Sequence, residues 1–390
     1  MSFFSSKKED ELVLVFNIGS SYVSGAFLEI QKNNKPKIIF SIREKIDVKE
    51  NIDFESFLHS TFKSIDLISN KLLKIEFKIP RRIFCVLSSS FYASQIRTIT
   101  LNRNTSFVFN QKMADTLIQK EISIFEEEFI KNNISKTEDV RLLEFKSMQI
   151  LLNGYISEKP LNQKIKNLEM SIFVSIANNY ILKNIKDSIR RYFNFKDIRF
   201  ISFSMASFAV IRNLFSYQKD FILLDIGGEI TDISLIRKDI LCSSASFPFG
   251  INFIIRGLSN IMKCSFDEAK TDFMMYKDNH LTEILKEKTR INLEKVEKEW
   301  ILNFEKCLLS LSKQGHLSST VFLTIDKKYA DYFSEIIKRE QMNQYNMIES
   351  KFNVIYVNMQ TLHNHIIFKD NSLRDEFLAI DSIYINNFLS

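Results

Sequence analysis

The chain has 390 residues, 45% hydrophobic and 26% charged, with 53 Lys and Arg against 47 Asp and Glu. That apolar content excludes intrinsic disorder, and at roughly 100–200 residues per domain the length allows two or three compact units. No run approaches the ~20 apolar residues of a membrane-spanning helix, and no block of Lys and Arg marks a nucleic-acid footprint.

The four cysteines, Cys85, Cys242, Cys264 and Cys307, are widely spaced and form no CxxC pair. With no recognisable signal peptide they predict a reducing, cytoplasmic setting without disulfides or structural zinc. His363 and His365 read as ordinary strand or loop residues. Glycine is scarce, 8 residues in all, while Phe reaches 36. The surviving glycines should therefore mark backbone that only glycine suits, by positive φ or by close approach.

In chain order, the first strong signal is Leu12–Leu28, an apolar strand, Asn17-Ile18-Gly19, a small polar turn with Ser20 and Ser21, and a second strand. Phe109–Lys131 has helical spacing of Met113, Leu117, Ile118, Ile122, Phe125 and Phe129. Asp139–Leu152 and Met170–Ile176 read as strands, and Asn178–Phe193 as a helix with Lys183, Lys186, Arg190 and Arg191 at solvated positions. Phe221–Ile236 then repeats the first pattern, with Asp225-Ile226-Gly227-Gly228 before Thr231 and Asp232. Glu294–Leu311 is helical, with Trp300 read as core in preference to a contact surface. Leu373–Ser390 places Leu373, Phe377, Ile380, Tyr384 and Phe388 on one stripe, beside the acidic Asp375, Glu376 and Asp381. That helix should pack back on the first-half sheet, and its acidity is wrong for an anionic lipid surface. Phe3, Phe4, Lys7 and Lys8 make too short a segment for a persuasive membrane anchor.

A tight hairpin turn leaves backbone N–H groups facing outward, suited to phosphate oxygens. A carboxylate at the end of its first strand can hold hydrated Mg²⁺ through water. Two such hairpins half a chain apart resemble the phosphate-1 and phosphate-2 loops, DxGxx and DxGGxxxD, of the actin/Hsp70/sugar-kinase superfamily. Asn153-Gly154-Tyr155 with Pro160 and Leu168-Glu169, the Met205–Ile211 segment, Phe247–Asn252 and Phe266–Lys270 follow in an order that resembles the bacterial cell-division family FtsA. The PilM pilus-assembly branch shares the fold and is the nearer rival.

The resemblance implies an α/β, actin-like (ribonuclease H-like) two-lobed fold with an SHS2-type IC insertion. Its parts would be 1–96 and 173–206 for subdomain IA, 97–172 for the insertion, 207–372 for the second lobe, and 373–390 for a closing helix on IA. The residues it implies for the cofactor are Asn17, Gly19, Ser20, Ser21, Asp225, Gly227, Gly228, Thr231, Glu268, Lys270 and Thr324. Asp225 would hold Mg²⁺ through water and would be the catalytic carboxylate of an active enzyme, with Lys270 on the adenosine side.

Three departures bear on activity. Asn17 stands where the loop pattern has Asp, Glu229 where it has a third Gly, and Ile325-Asp326 where a strand is followed by two glycines. An anionic Glu229 repels phosphates unless it turns away, and Asp326 would crowd a nucleotide unless it bonds the ribose. The expectation is an FtsA-like scaffold or adaptor for the FtsZ ring, with weak or absent hydrolysis and with ATP and Mg²⁺ binding left open. FtsZ or another division protein would be the partner, with self-association into filaments or dimers, no nucleic acid, and membrane contact only through partners. The alternatives are an active ATPase controlling polymer assembly and a PilM-like adaptor of pilus or secretion machinery.

Overall fold

Two mixed sheets, of six and five strands, carry the fold and share one strand order over five of them. The computed structural model describes residues 11–31, 34–48, 53–75, 79–132, 139–194, 197–313, 315–339, 351–370 and 372–388. Phe3, Phe4, Lys7 and Lys8 lie outside them. The chain runs through β1 (Glu11–Ile18), β2 (Tyr22–Ile30), β3 (Lys37–Lys45), α1 (Phe54–Leu73), β4 (Ile83–Leu87), β5 (Ala93–Phe109) and α2 (Gln111–Asn132). Next come β6 (Val140–Leu152), β7 (Tyr155–Ile156), β8 (Gln163–Asn178), α3 (Asn179–Arg190), β9 (Ile198–Ser202), α4 (Phe203–Leu214) and β10 (Phe221–Ile226). Then follow β11 (Thr231–Arg237), β12 (Ile240–Phe247), α5 (Ile251–Met262), α6 (Phe266–Lys277), α7 (Glu283–Ser312) and β13 (Thr320–Ile325). The chain closes with α8 (Lys327–Arg339), β14 (Asn353–Tyr356), α9 (Met359–Leu362), β15 (Ile367–Phe368) and α10 (Glu376–Phe388).

The chain divides into two compact units, one of residues 1–88, 185–214 and 357–390, the other of residues 89–184 and 215–356. In the first, the sheet order is β15-β3-β2-β1-β4-β9. β1, β2 and β3 form an antiparallel meander, and β4 and β9 continue in parallel from β1. The meander needs only tight turns, whereas parallel strands need crossovers, here α1 before β4. α1 is capped by Asp53, whose carboxylate accepts from Ser56 N at 3.1 Å. Its buried Leu58, Ile65, Ile68 and Leu72 recur at helical spacing. Gly25 lets this helix approach, since a Cβ there would lie 2.6 Å from Ile68 Cγ2 and 2.8 Å from Leu72 Cδ1.

α10 packs against β1, β2 and α4, and so is buried far beyond the single stripe read from sequence. Leu378, Ala379, Ile380, Ile383, Tyr384 and Ile385 are all interior. A helix apolar on most sides is the type that belongs between layers. Asp375 and Asp381, two of the acids of this segment, are both buried.

The second unit repeats the plan: β12-β11-β10-β13-β14, with an antiparallel meander and two parallel additions. A separate antiparallel sheet, β5-β8-β6-β7, is covered by α2 through Ile118, Ile122 and Phe125 on Ile99, Met170, Ile172 and Val174. Asn153 and Gly154 turn β6 into β7 with φ of 51° and 85°, the left-handed pair that a two-residue hairpin turn requires. Asn153 Oδ1 also accepts from Lys166 N and Asn167 N, at 2.9 and 3.1 Å.

α7 begins eleven residues before the apolar periodicity does. Its first turns are exposed, and Arg290 pairs there with Glu287 and Glu294 at helical spacing. Trp300 is fully buried, stacks on Phe304 at 5.3 Å, and meets Phe247 and Phe333 edge-on. Its indole N–H donates to the Phe249 carbonyl at 3.1 Å. Core is therefore its role. Trp300→Ala should cost about 3–5 kcal/mol of unfolding free energy, read by urea denaturation; a loss below about 1 kcal/mol would contradict this packing.

Candidate functional site

The second hairpin concentrates charge. Asp225, near the end of β10, and Asp232, on β11, are direct cross-strand partners, so their side chains share a face. Thr324 on β13 is the parallel partner of Asp225 and donates its hydroxyl to Asp225 Oδ1 at 2.7 Å. The Ser89 hydroxyl donates to Asp232 Oδ2. Burial, then the neighbouring Asp232 charge, push Asp225 up to about 8 against the opposing Thr324 hydrogen bond. Burial pushes Asp232 up to about 7 against the Ser89 bond. The two act as one buried couple that retains a proton near neutrality.

The turn between these strands is tied to α5. Ile251 N donates to Gly227 O at 2.9 Å, Asn252 N to Gly228 O at 2.8 Å, and Gly250 N to Glu229 O at 3.1 Å. These bonds satisfy donors that a helix start leaves open. Gly250 is needed for the approach, because a Cβ would lie 2.4 Å from Gly227 O and 2.5 Å from Gly228 O.

Glu229 turns towards this helix. Its carboxylate accepts from Asn252 Nδ2 at 2.8 Å and from both terminal nitrogens of Arg256, a largely buried forked pair. The charge that would repel a phosphate is thereby neutralised within the second unit. Thr231 is buried, and its hydroxyl goes to Phe249 O at 2.7 Å, the carbonyl that Trp300 also uses.

Glu268 and Lys270 lie on α6. Glu268 forms a capping box with Ser265, accepting from Ser265 N and Oγ, both at 2.8 Å. Those two bonds hold its carboxyl below the usual range, and neither reaches the Asp225–Asp232 pair. Lys270 is half-buried on the same helix, α6. Ile325 is buried, and Asp326 caps α8, its carboxylate accepting from Lys328 N at 3.3 Å. Asp326 is thus explained by a helix start.

The first hairpin has the same register and different chemistry. Asn17 and Ser24 are cross-strand partners, the positions held by Asp225 and Asp232 in the other. Asn17 Nδ2 donates to Asp381 at 2.8 Å and Ser24 Oγ to Asp375 at 2.7 Å, both acceptors on or capping α10. Gly19 N donates to Tyr22 O at 3.0 Å, closing the turn. Ser20 is buried, and the Ser21 carbonyl accepts from Ile46 N at 2.9 Å. Ser21 Oγ, and Ser88 Oγ just beyond β4, are buried without a partner among the described residues. Unmet hydroxyls beyond the carboxyl ends of adjacent parallel strands mark a place where ligands bind in open α/β sheets.

Sequence reasoning missed Ser89, Asn252 and Arg256, which only packing brings to the second hairpin. It also missed Asp381, for which a signal existed: the residue falls four after Phe377 and three before Tyr384, on the apolar stripe.

Among the described residues no group of three or more His, Cys, Asp or Glu is placed to hold a metal ion. No helix among them is long and apolar enough to cross a membrane.

No protein-family profile matches the sequence, and no curated relative is found. Solved structures do align. A structure of the PilM–PilN type IV pilus biogenesis complex covers 96% of this chain and 97% of its own, at 12% identity and a TM-score of 0.60. The MamK double helical filament covers 95% and 98%, at 10% identity and 0.44. MreB 5 of Spiroplasma citri bound to AMPPNP covers 96% and 95%, at 9% and 0.43. The fold is actin-like.

Because both carboxyls of the second hairpin are raised, the folded chain holds more protons than the unfolded chain from about pH 4 to pH 8. This pair therefore lowers stability progressively as pH rises through that window. Asp232→Asn should raise the thermal midpoint at pH 8–9, with the gain fading towards pH 5. An equal gain at both pH values would contradict the protonated couple.

Proposed function

We propose that this chain is an actin-like adaptor that works through its surfaces, docking partner proteins at the inner face of the cell membrane, with a degenerate ATP site. The observation that carries the reading is the commitment of Asn17 to Asp381, which leaves the first hairpin turn without a strand carboxylate of its own. Mg²⁺, when bound, would neutralise phosphate charge, and Asp225 and Asp232 are the residues to hold its water shell. Thr324 orients Asp225 and Ser89 orients Asp232. The buried hydroxyls Ser21 and Ser88 supply donors or acceptors to a ligand at the first hairpin. Hydrolysis is expected to be weak or absent.

Two partner classes compete. The division-scaffold reading, with an FtsZ-like partner and an SHS2-type insertion, rests on the family-like motifs, Asn153-Gly154-Tyr155 above all. Local turn geometry already accounts for that Asn-Gly pair, so its weight for a division role falls. The whole-chain likeness to the PilM–PilN complex favours a pilus-type adaptor that receives a short peptide of an inner-membrane protein. Self-association into dimers or filaments belongs to either reading and is measured by sedimentation with and without ATP.

Calorimetry decides both layers. Titration of ATP with and without Mg²⁺ should give weak binding or none up to millimolar concentration; Mg²⁺-dependent binding with turnover, lost in Asp225→Ala, would establish an active ATPase instead. A peptide from the cytoplasmic end of a PilN-like protein should bind, and an FtsZ C-terminal tail peptide should not. The reverse preference selects the division scaffold, and silence from both removes the adaptor reading.

A further inference from the structure

The two hairpins place carboxylates in opposite ways. In the second, the cross-strand pair Asp225 and Asp232 carries both acids on the strands. In the first, the same two positions are the neutral Asn17 and Ser24. Each of these donates to an acid from the C-terminal segment: Asn17 Nδ2 to Asp381 Oδ2 at 2.8 Å, Ser24 Oγ to Asp375 Oδ2 at 2.7 Å. One hairpin therefore has its acids built in, and the other has them delivered, one per strand, by α10 and the residue that caps it.

We infer that the carboxylate of the first hairpin has been transposed from strand to helix, and that Asp381 is a positioning residue for Asn17. Asn17 Nδ2 faces the helix, where it donates to Asp381 Oδ2, and Oδ1 is left on the side of the turn. A Cβ at Gly19 would lie 4.0 Å from that oxygen. The first turn thus offers a fixed, neutral acceptor, suited to a ligand hydroxyl or to the water of a bound cation. Asp381 is fully buried and position 17 half-buried, so an aspartate at position 17 would set a second carboxyl against a desolvated one. Asn17 is in this account a requirement of the helix that packs behind it.

Asp375 also caps the helix. Its Oδ1 accepts from Phe377 N at 2.9 Å and Leu378 N at 3.2 Å, capping α10, and Arg43 lies 3.5 Å from Oδ2. Asp381 sits in mid-helix, where it has no cap to make.

The ligand class rests on the reading of this hairpin as a binding turn; the transposition itself does not. The test is a double-mutant cycle on the full chain, Asn17→Asp, Asp381→Asn and both together, read as urea unfolding at pH 7.5. Asn17→Asp should lower the folding equilibrium constant at least tenfold, and Asp381→Asn should also lower it. The double variant, which exchanges acid and amide, should return to within about threefold of wild type. If Asn17→Asp does not accumulate, recovery of a folded double variant is the same result. Losses that simply add, or a double variant that fails to fold, overturn the proposal. Absence of ATP binding leaves the cycle untouched, so failure of the adaptor's nucleotide chemistry and failure of this inference read out separately.

Discussion

Polar groups at the hairpin mouths of this protein lie under packed layers, where an unmet charge is costly. Much of the surrounding structure serves to satisfy them. Asp225 has Thr324, Asp232 has Ser89, Glu229 has Arg256 and Asn252, Asn17 has Asp381, and Ser24 has Asp375. Each of those partners comes from a different strand, loop or helix than the group it serves. The strand order that brings β13 beside β10, and the closing position of α10 on β1 and β2, are what make the partners available.

The same constraint explains why residues that break a loop pattern need not break the fold. Glu229 is an acid at a tight turn, yet through Arg256 it ties that turn to α5. Asn17 is unusual at a strand end, yet it is the neutral donor that a buried Asp381 needs. Asp326 starts α8 with its side chain. In each case the polar group has acquired an internal partner.

Glycine scarcity has a parallel lesson. Of the glycines outside the second hairpin turn, only Gly154 and Gly315 take positive φ. Gly25, Gly250 and Gly257 are kept by crowding against Ile68, by the Gly227–Gly228 carbonyls and by Val296 respectively. Close approach of layers, more than turn geometry, decides where this chain retains glycine. That rule follows from packing density, since a single methyl in a filled interior has nowhere to go.

Much of the architecture was legible from local pattern. Apolar runs with Gly turns marked both hairpins, and the spacing from Met113 to Phe129 marked α2. Sequence by itself determined that two similar hairpins exist, that one carries Asp225 and Asp232, and that the other has Asn17 at the position of Asp225. Tertiary structure alone decided where the counterparts come from: Ser89 from 143 residues away, Asp381 from 364. Hydrogen bonds of that separation leave no periodicity in the chain, because the residues they join belong to elements whose spacing is set by folding. Asp381 lay in plain view on an apolar stripe, but its meaning required knowing which strand the stripe would meet.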